Sequence, residues 1–248
     1  MKTLRTCLSI AALLALLGQP AMAQMPQPKA SHLNAAMTKL FGDVKAFSSM
    51  AELHMKNKAG EETAAMTMNF AFLDGKVRTE LDMSQMKSKD MPAGAGAMMK
   101  QMGMDKMVNI IMPEKKIMLM IYPGLKSYTE MPMPKEEAAT AETKFKMDKE
   151  QLGKETVEGH PCAKCKVTMT GDKGEKHEAL VWQATDLKDF PVQMQMTEGD
   201  NTMLMVYRDI KFAKPDAALF DAPTDCTKYD NMQTMMQGAM MKMMGGGK

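Results

Sequence analysis

Between Phe47 and Met83 apolar side chains recur at every second position, and that alternation is the feature that most constrains the fold. Phe47, Ala51, Leu53 and Met55 fall on one side of an extended chain, while Glu52, His54 and Lys56 fall on the other. After a turn at Ala59-Gly60, Met66, Met68, Phe70 and Phe72 alternate with Thr67, Asn69 and Ala71. Asp74-Gly75 then marks a tight hairpin, a dipeptide suited to the positive backbone angles of such turns. The return run sets Val77, Thr79, Leu81 and Met83 against Lys76, Arg78, Glu80 and Asp82. A side-chain period of two with one dry and one wet face predicts an antiparallel meander.

The pattern resumes further along. Strands are expected at 107–112, 116–122, 126–131, 153–158, 162–170, 176–182, 192–197 and 202–212, with Gly171-Asp172-Lys173-Gly174 and Glu198-Gly199-Asp200-Asn201 as turns. Several of those between 107 and 131 are apolar on both faces, as in a sheet covered by helices or a lid. Ser31 can cap a helix from His32 to about Phe41, and one helical turn fits Pro215 to Phe220. So many hairpin-linked strands predict a mainly β fold with flanking helices (α+β). The architecture expected is a large curved antiparallel sheet or unclosed β-barrel, its concave face covered by helix or lid.

The N-terminus reads as an export signal. Lys2 and Arg5 precede an apolar run from Cys7 to Leu17, and Ala21-Met22-Ala23 fits a small-residue cleavage site before Gln24. The run is shorter than the roughly 20 residues a spanning helix needs. The expected division is a signal peptide at 1–23, a leader at 24–30, one β domain at 31–230 and a Met/Gly-rich tail at 231–248. Within the domain, 86–106 is a Met/Gly/Ala-rich insertion, either a lid with a short helix near Ala97–Met102 or a disordered loop. A periplasmic or secreted location is expected, without a transmembrane segment. Once the signal peptide is removed, basic and acidic residues balance, which argues against a nucleic-acid partner.

Methionine is unusually frequent, 34 of 248 residues. It is a flexible thioether that fills irregular apolar space and adapts to varied partners, and a soft ligand for Cu(I). Met66/Met68, Met118/Met120, Met194/Met196 and Met203/Met205 each share a strand face. The expected lining of an apolar concavity is Met66, Met68, Phe70, Phe72, Leu81, Met194, Met196, Met203 and Met205. The alternatives are a non-catalytic structural envelope protein and a Cu(I)-binding protein, whose candidates are Met98, Met99 and Met102 in the insertion and Met235, Met236 and Met240 in the tail. The four histidines are scattered, and no nucleophile–base set can be assembled, so neither an enzyme nor a resident cofactor is expected.

Three cysteines follow the leader: Cys162, Cys165 and Cys226. Residues three apart in a strand stand about 10 Å apart, too far for a mutual disulfide. Cys226 is expected to pair with Cys165 or Cys162, with Cys165 favoured because it shares a face with Val167 and Met169.

The last third also carries a likeness. Gly153-Lys-Glu-Thr-Val-Glu-Gly-His-Pro-Cys162 leads through Lys164 and Val167 to Trp182-Gln-Ala-Thr-Asp-Leu-Lys-Asp-Phe-Pro191, then to Phe212-Ala-Lys-Pro-Asp216 and Phe220-Asp-Ala-Pro223. This resembles an uncharacterised family of exported bacterial proteins, a domain of unknown function, over roughly Met107 to Met236. That family is itself similar to the periplasmic lipoprotein carriers LolA and LolB. The resemblance implies an unclosed β-barrel plugged by helices and an apolar partner, either a lipid or an acylated protein. It carries no catalytic residues. This chain departs from the carriers in lining its strands with methionine rather than aromatics.

Overall fold

The computed structural model describes residues 37–89, 91–172 and 174–243. The expected signal peptide and leader, and the end of the tail, lie outside them, as do the side chains of Glu198, Met240, Lys242 and Met243. Among the described residues, thirteen strands form one sheet: β1 (Ala46–Lys56), β2 (Glu62–Leu73), β3 (Lys76–Asp82), β4 (Lys87–Ser88), β5 (Lys106–Met112), β6 (Ile117–Tyr122), β7 (Ser127–Pro132), β8 (Lys146–Val157), β9 (His160–Thr170), β10 (Lys176–Ala184), β11 (Phe190–Glu198), β12 (Asn201–Lys211) and β13 (Thr227–Tyr229). Three helices accompany them: α1 (Ala95–Gln101), α2 (Lys135–Glu142) and α3 (Met232–Met243). A further helical stretch covers 37–40.

The strand order is β13-β7-β6-β5-β3-β2-β1-β12-β11-β10-β9-β8, with β4 added beside β2. The sheet is therefore unclosed, with β13 and β8 at its edges. Every pairing is antiparallel except β13 on β7, which is parallel. Asp74 and Gly75 take φ of 49° and 86°, as the β2–β3 hairpin requires.

Register shows which residues share a face. Across β1, β2, β3, β5, β6 and β7 one row reads Phe47, Phe72, Val77, Ile111, Met118, Met131. The rings on this face converge. Phe47 on β1 and Phe190 on β11 belong to strands two apart, nominally about 9.6 Å, yet their ring centroids are 4.9 Å apart. Phe70 on β2 and Tyr207 on β12 are likewise 5.5 Å apart. Converging side chains identify this as the concave face. Phe41, following the 37–40 helix, packs on Phe47, Phe72 and Phe190 and closes the centre of the cluster.

Two helices cover other parts of that face. The α2 residues Ala138 and Ala141 pack against the same core, and Lys39 donates to the Ala141 carbonyl at 2.8 Å. Tyr229 pairs with Thr129 on β7, and Gly238 of α3 lies so close to Tyr229 that a Cβ there would stand 2.6 Å from its hydroxyl. The α3 helix therefore lies over the inner face of β7, and its Met235 is fully buried. The sequence sets 231–248 apart from the β domain as a tail, whereas its helix α3 packs on β7 and β13.

A second apolar cluster occupies the opposite face. Leu73, Val108, Ile110, Met112, Leu119 and Ile121 pack beneath Phe220, which a short 3-10 helix at Ala217–Phe220 delivers. Strands β5 and β6 are thus covered on both sides, which explains their doubly apolar sequences.

Candidate functional site

The residues expected to line a concavity all fall on the inner face, but most are consumed by the core. Met68, Phe70, Phe72, Met194, Met196, Met203 and Met205 are buried, whereas Met66 and Leu81 are half-buried. Their neighbours explain the difference. The buried set packs on Phe41, Phe47, Val181, Phe190 and Tyr207, where the sheet curls most tightly.

A half-buried part of the inner face lies on β3, β5 and β6, with Met131 of β7 beside it. Leu81, Met107, Asn109, Met118, Met120 and Met131 are all half-buried there. Three rows build this surface. The first is Val77, Ile111, Met118 and Met131. The second is Thr79, Asn109, Met120 and Thr129, and the third begins with Leu81 and Met107. Sequence reasoning placed Met118 and Met120 on a common face, but not among the lining residues, and it missed Met107, Asn109 and Met131.

This surface combines deformable thioethers with neutral polar groups. Three hydroxyls of the inner face, one in the second row and two in the adjoining core, are unusual. Ser49, Thr129 and Tyr207 are each at least nine-tenths buried, and their side-chain oxygens have no hydrogen-bond partner among the described residues. Burial pushes the Tyr207 phenol far above its ordinary range, so it stays protonated. An unpaired buried hydroxyl costs about 1–3 kcal/mol. Tyr207→Phe is accordingly expected to raise stability by about 1–2 kcal/mol, read as a higher urea midpoint with an unchanged slope; a lower midpoint would reveal a partner.

The cysteine expectation is overturned. All three thiols are free. Cys162 and Cys165 are buried in the inner core, while Cys226 packs against the outer cluster, so the sheet separates Cys165 from Cys226. Burial raises the thiol pKa of Cys162 and Cys226, which lowers the thiolate fraction.

The metal candidates are dispersed between two elements. Met98 and Met99 lie on α1, whose C-cap is Met102; Met98 is exposed and the other two are half-buried. Met235, Met236 and Met240 lie on α3, with Met235 buried and Met236 half-buried. Among the described residues, no group of three or more His, Cys, Asp or Glu side chains could hold a metal ion. The 86–106 insertion forms β4 and α1 and walls a cleft of about 450 Å³ with the start of β2. A second cleft, about 380 Å³, lies where Asn69, Arg78, Glu80, Asp209 and Lys211 meet Leu219.

The family model described as Domain of unknown function (DUF4412) matches residues 47–203, more than half the chain. The chain belongs to this family. The match runs from β1 into β12, beginning well before the 107–236 region whose sequence carries the likeness. No curated protein matches the DUF4412 chain in sequence. Similar solved structures include the lipoprotein LppX of Mycobacterium tuberculosis, at 10% identity and a TM-score of 0.39, covering 72% of this chain and 94% of that one. LprF of Mycobacterium bovis is 11% identical with a TM-score of 0.34, covering 75% and 96%. A LolA superfamily protein of Nitrosomonas europaea is 8% identical with a TM-score of 0.34, covering 78% and 96%. At these scores the likeness is loose and does not say what the DUF4412 protein binds. None of its described helices is long and apolar enough to cross a membrane.

Proposed function

We propose that this protein is an exported, non-catalytic carrier that binds a lipid or the acyl chains of an acylated protein on its concave face. One observation carries the reading. The inner face of β3, β5, β6 and β7 keeps Leu81, Met107, Met118, Met120 and Met131 half-buried, beside a core that consumes the equivalent positions of β11 and β12. Apolar side chains on a concave, uncharged surface gain by contact with another apolar body, at roughly 0.8 kcal/mol per buried methylene. Methionine suits such a surface because its side chain can repack around chains of different shape. The helices α2 and α3 border the surface and would limit how much of a ligand is covered.

Native mass spectrometry of the protein recovered from the periplasm of an exporting host tests this. The expected result is a population carrying lipid-sized adducts, with Met120→Asp depleting them at least severalfold. A clean apo mass for the wild-type protein, or stoichiometric copper in place of lipid, would sink the carrier reading.

A further inference from the structure

We propose that the ligand of this surface is an uncharged acyl compound, its ester or amide carbonyl held by Thr79 and Asn109, and that free carboxylates are rejected. The inference rests on the carrier reading and adds the chemical class of the ligand.

The argument begins with where the charges are. Inner-face positions of β1 (47–55), β2 (66–72), β3 (77–81), β5 (107–111), β6 (118–122), β7 (127–131) and β12 (203–207) hold no Asp, Glu, Lys, Arg or His. On β5 and β6 the other face is the apolar outer cluster, but on β1, β3 and β12 it carries charges. There, Arg78 pairs with Glu80 at 2.7 Å, and Arg208 bridges Glu52 and Glu158 at 3.2 and 2.9 Å. On those three strands the neutrality belongs to the inner face and not to the strand as a whole.

The inner face nevertheless has hydrogen-bonding capacity. Thr79 and Asn109 are direct neighbours on β3 and β5, both half-buried, with Met120 and Thr129 continuing their row. Apolar rows flank them on either side, Val77–Ile111–Met118–Met131 and Leu81–Met107. Thr129 in the same row, and Ser49 and Tyr207 in the neighbouring core, have buried hydroxyls without a hydrogen-bond partner among the described residues. This is the second, independent sign that the face carries polar groups its own packing does not satisfy.

A hydroxyl and a carboxamide N–H can each donate to a carbonyl oxygen. An ester or amide thus replaces its lost water contacts while its chain lies along the methionine rows. A carboxylate brings a full charge into the same place, where the strand positions offer no cation. On the covering elements, Lys39 is engaged by the Ala141 carbonyl and the buried Glu137 is itself acidic. The desolvation of the bound carboxylate is uncompensated there.

Equilibrium dialysis of the full chain against lauric acid and methyl laurate, both below their aggregation limits, tests the proposal. At pH 8 methyl laurate is expected to bind at least tenfold more tightly than laurate, and the gap should narrow as pH falls through the carboxyl pKa. In the double variant Thr79→Val, Asn109→Leu, the advantage of methyl laurate over dodecane should disappear while dodecane is still bound. Laurate binding at pH 8 within threefold of the ester would overturn the proposal and leave the carrier reading standing. If neither ester nor acid nor dodecane binds, the carrier reading falls and this proposal with it.

Discussion

Replacing Phe47 with alanine is expected to destabilise the protein by about 3–5 kcal/mol, the range for truncating a fully buried phenylalanine. Phe47 is 0% exposed and sits at the hub of the inner core. Its ring lies 4.8 Å from Phe41, 4.9 Å from Phe190, 5.4 Å from Phe70 and 5.7 Å from Phe72. The loss therefore combines a cavity with several aromatic contacts, each worth about 0.5–1.5 kcal/mol beyond simple burial. Strand β1 is paired with β2 and β12 on its two sides, so it cannot collapse cheaply into the void. Urea unfolding should show a large fall in midpoint with little change in slope. Leu152→Ala is the control: its side chain is 49% exposed on β8, and the expected change is within about 0.5 kcal/mol. Equal losses for both variants would mean that the convergent aromatics are not the centre of stability.

The sheet was legible because most strands have one wet face and one dry one. Alternation located β1 to β3 and the strands from β9 to β12 within a few residues. Where that asymmetry fails, the boundaries fail with it. Strand β8 begins at Lys146, seven residues before the expected start, because an edge strand exposed on both faces shows no apolar period in Lys-Met-Asp-Lys-Glu-Gln-Leu. Strand β13, only Thr-Lys-Tyr, is held by parallel pairing to β7 nearly a hundred residues away. Three residues carry no readable period.

The candidate site shows the same limit from the other direction. Strands β5 and β6 are apolar on both faces because Phe220 and its neighbours cover the outside. Alternation therefore cannot tell which side of Met107, Met118 or Met120 faces the ligand. Conversely, Met194, Met196, Met203 and Met205 have the period of a cavity lining and are buried in the core instead. What separates the two sets is local curvature, which draws β1, β2, β11 and β12 around Phe41. Curvature arises from twist and bulges such as those between Ser48 and Met50 and between Trp182 and Gln183. The cysteine pairing failed for a related reason. Face-sharing along β9 says nothing about which side of the sheet a residue some sixty positions later will reach.

Phe220→Ala is expected to cost a comparable 3–5 kcal/mol, but with a different spatial signature. Phe220 is 0% exposed and, among the described residues, is the only member of the outer cluster's buried core that comes from outside the sheet. The turn that carries it is anchored twice. The Asp216 carboxylate accepts from the Ala218 N–H at 3.0 Å, and Arg78 donates to the Leu219 carbonyl at 2.7 Å. From there the chain crosses to β7, adds β13 and lays α3 over the inner face. Removing the ring should therefore loosen the route by which the C-terminal helix is delivered, while the aromatic hub around Phe47 stays packed. Hydrogen exchange should show β13 and α3 losing protection first, with β1, β2 and β12 retaining theirs until global unfolding. Uniform loss across all strands would mean that the outer cluster is no separate clamp. Because α3 borders the half-buried methionine surface, the same variant should also exchange bound lipid faster than the wild-type protein. In this way a residue on the outer face would control access to the inner one.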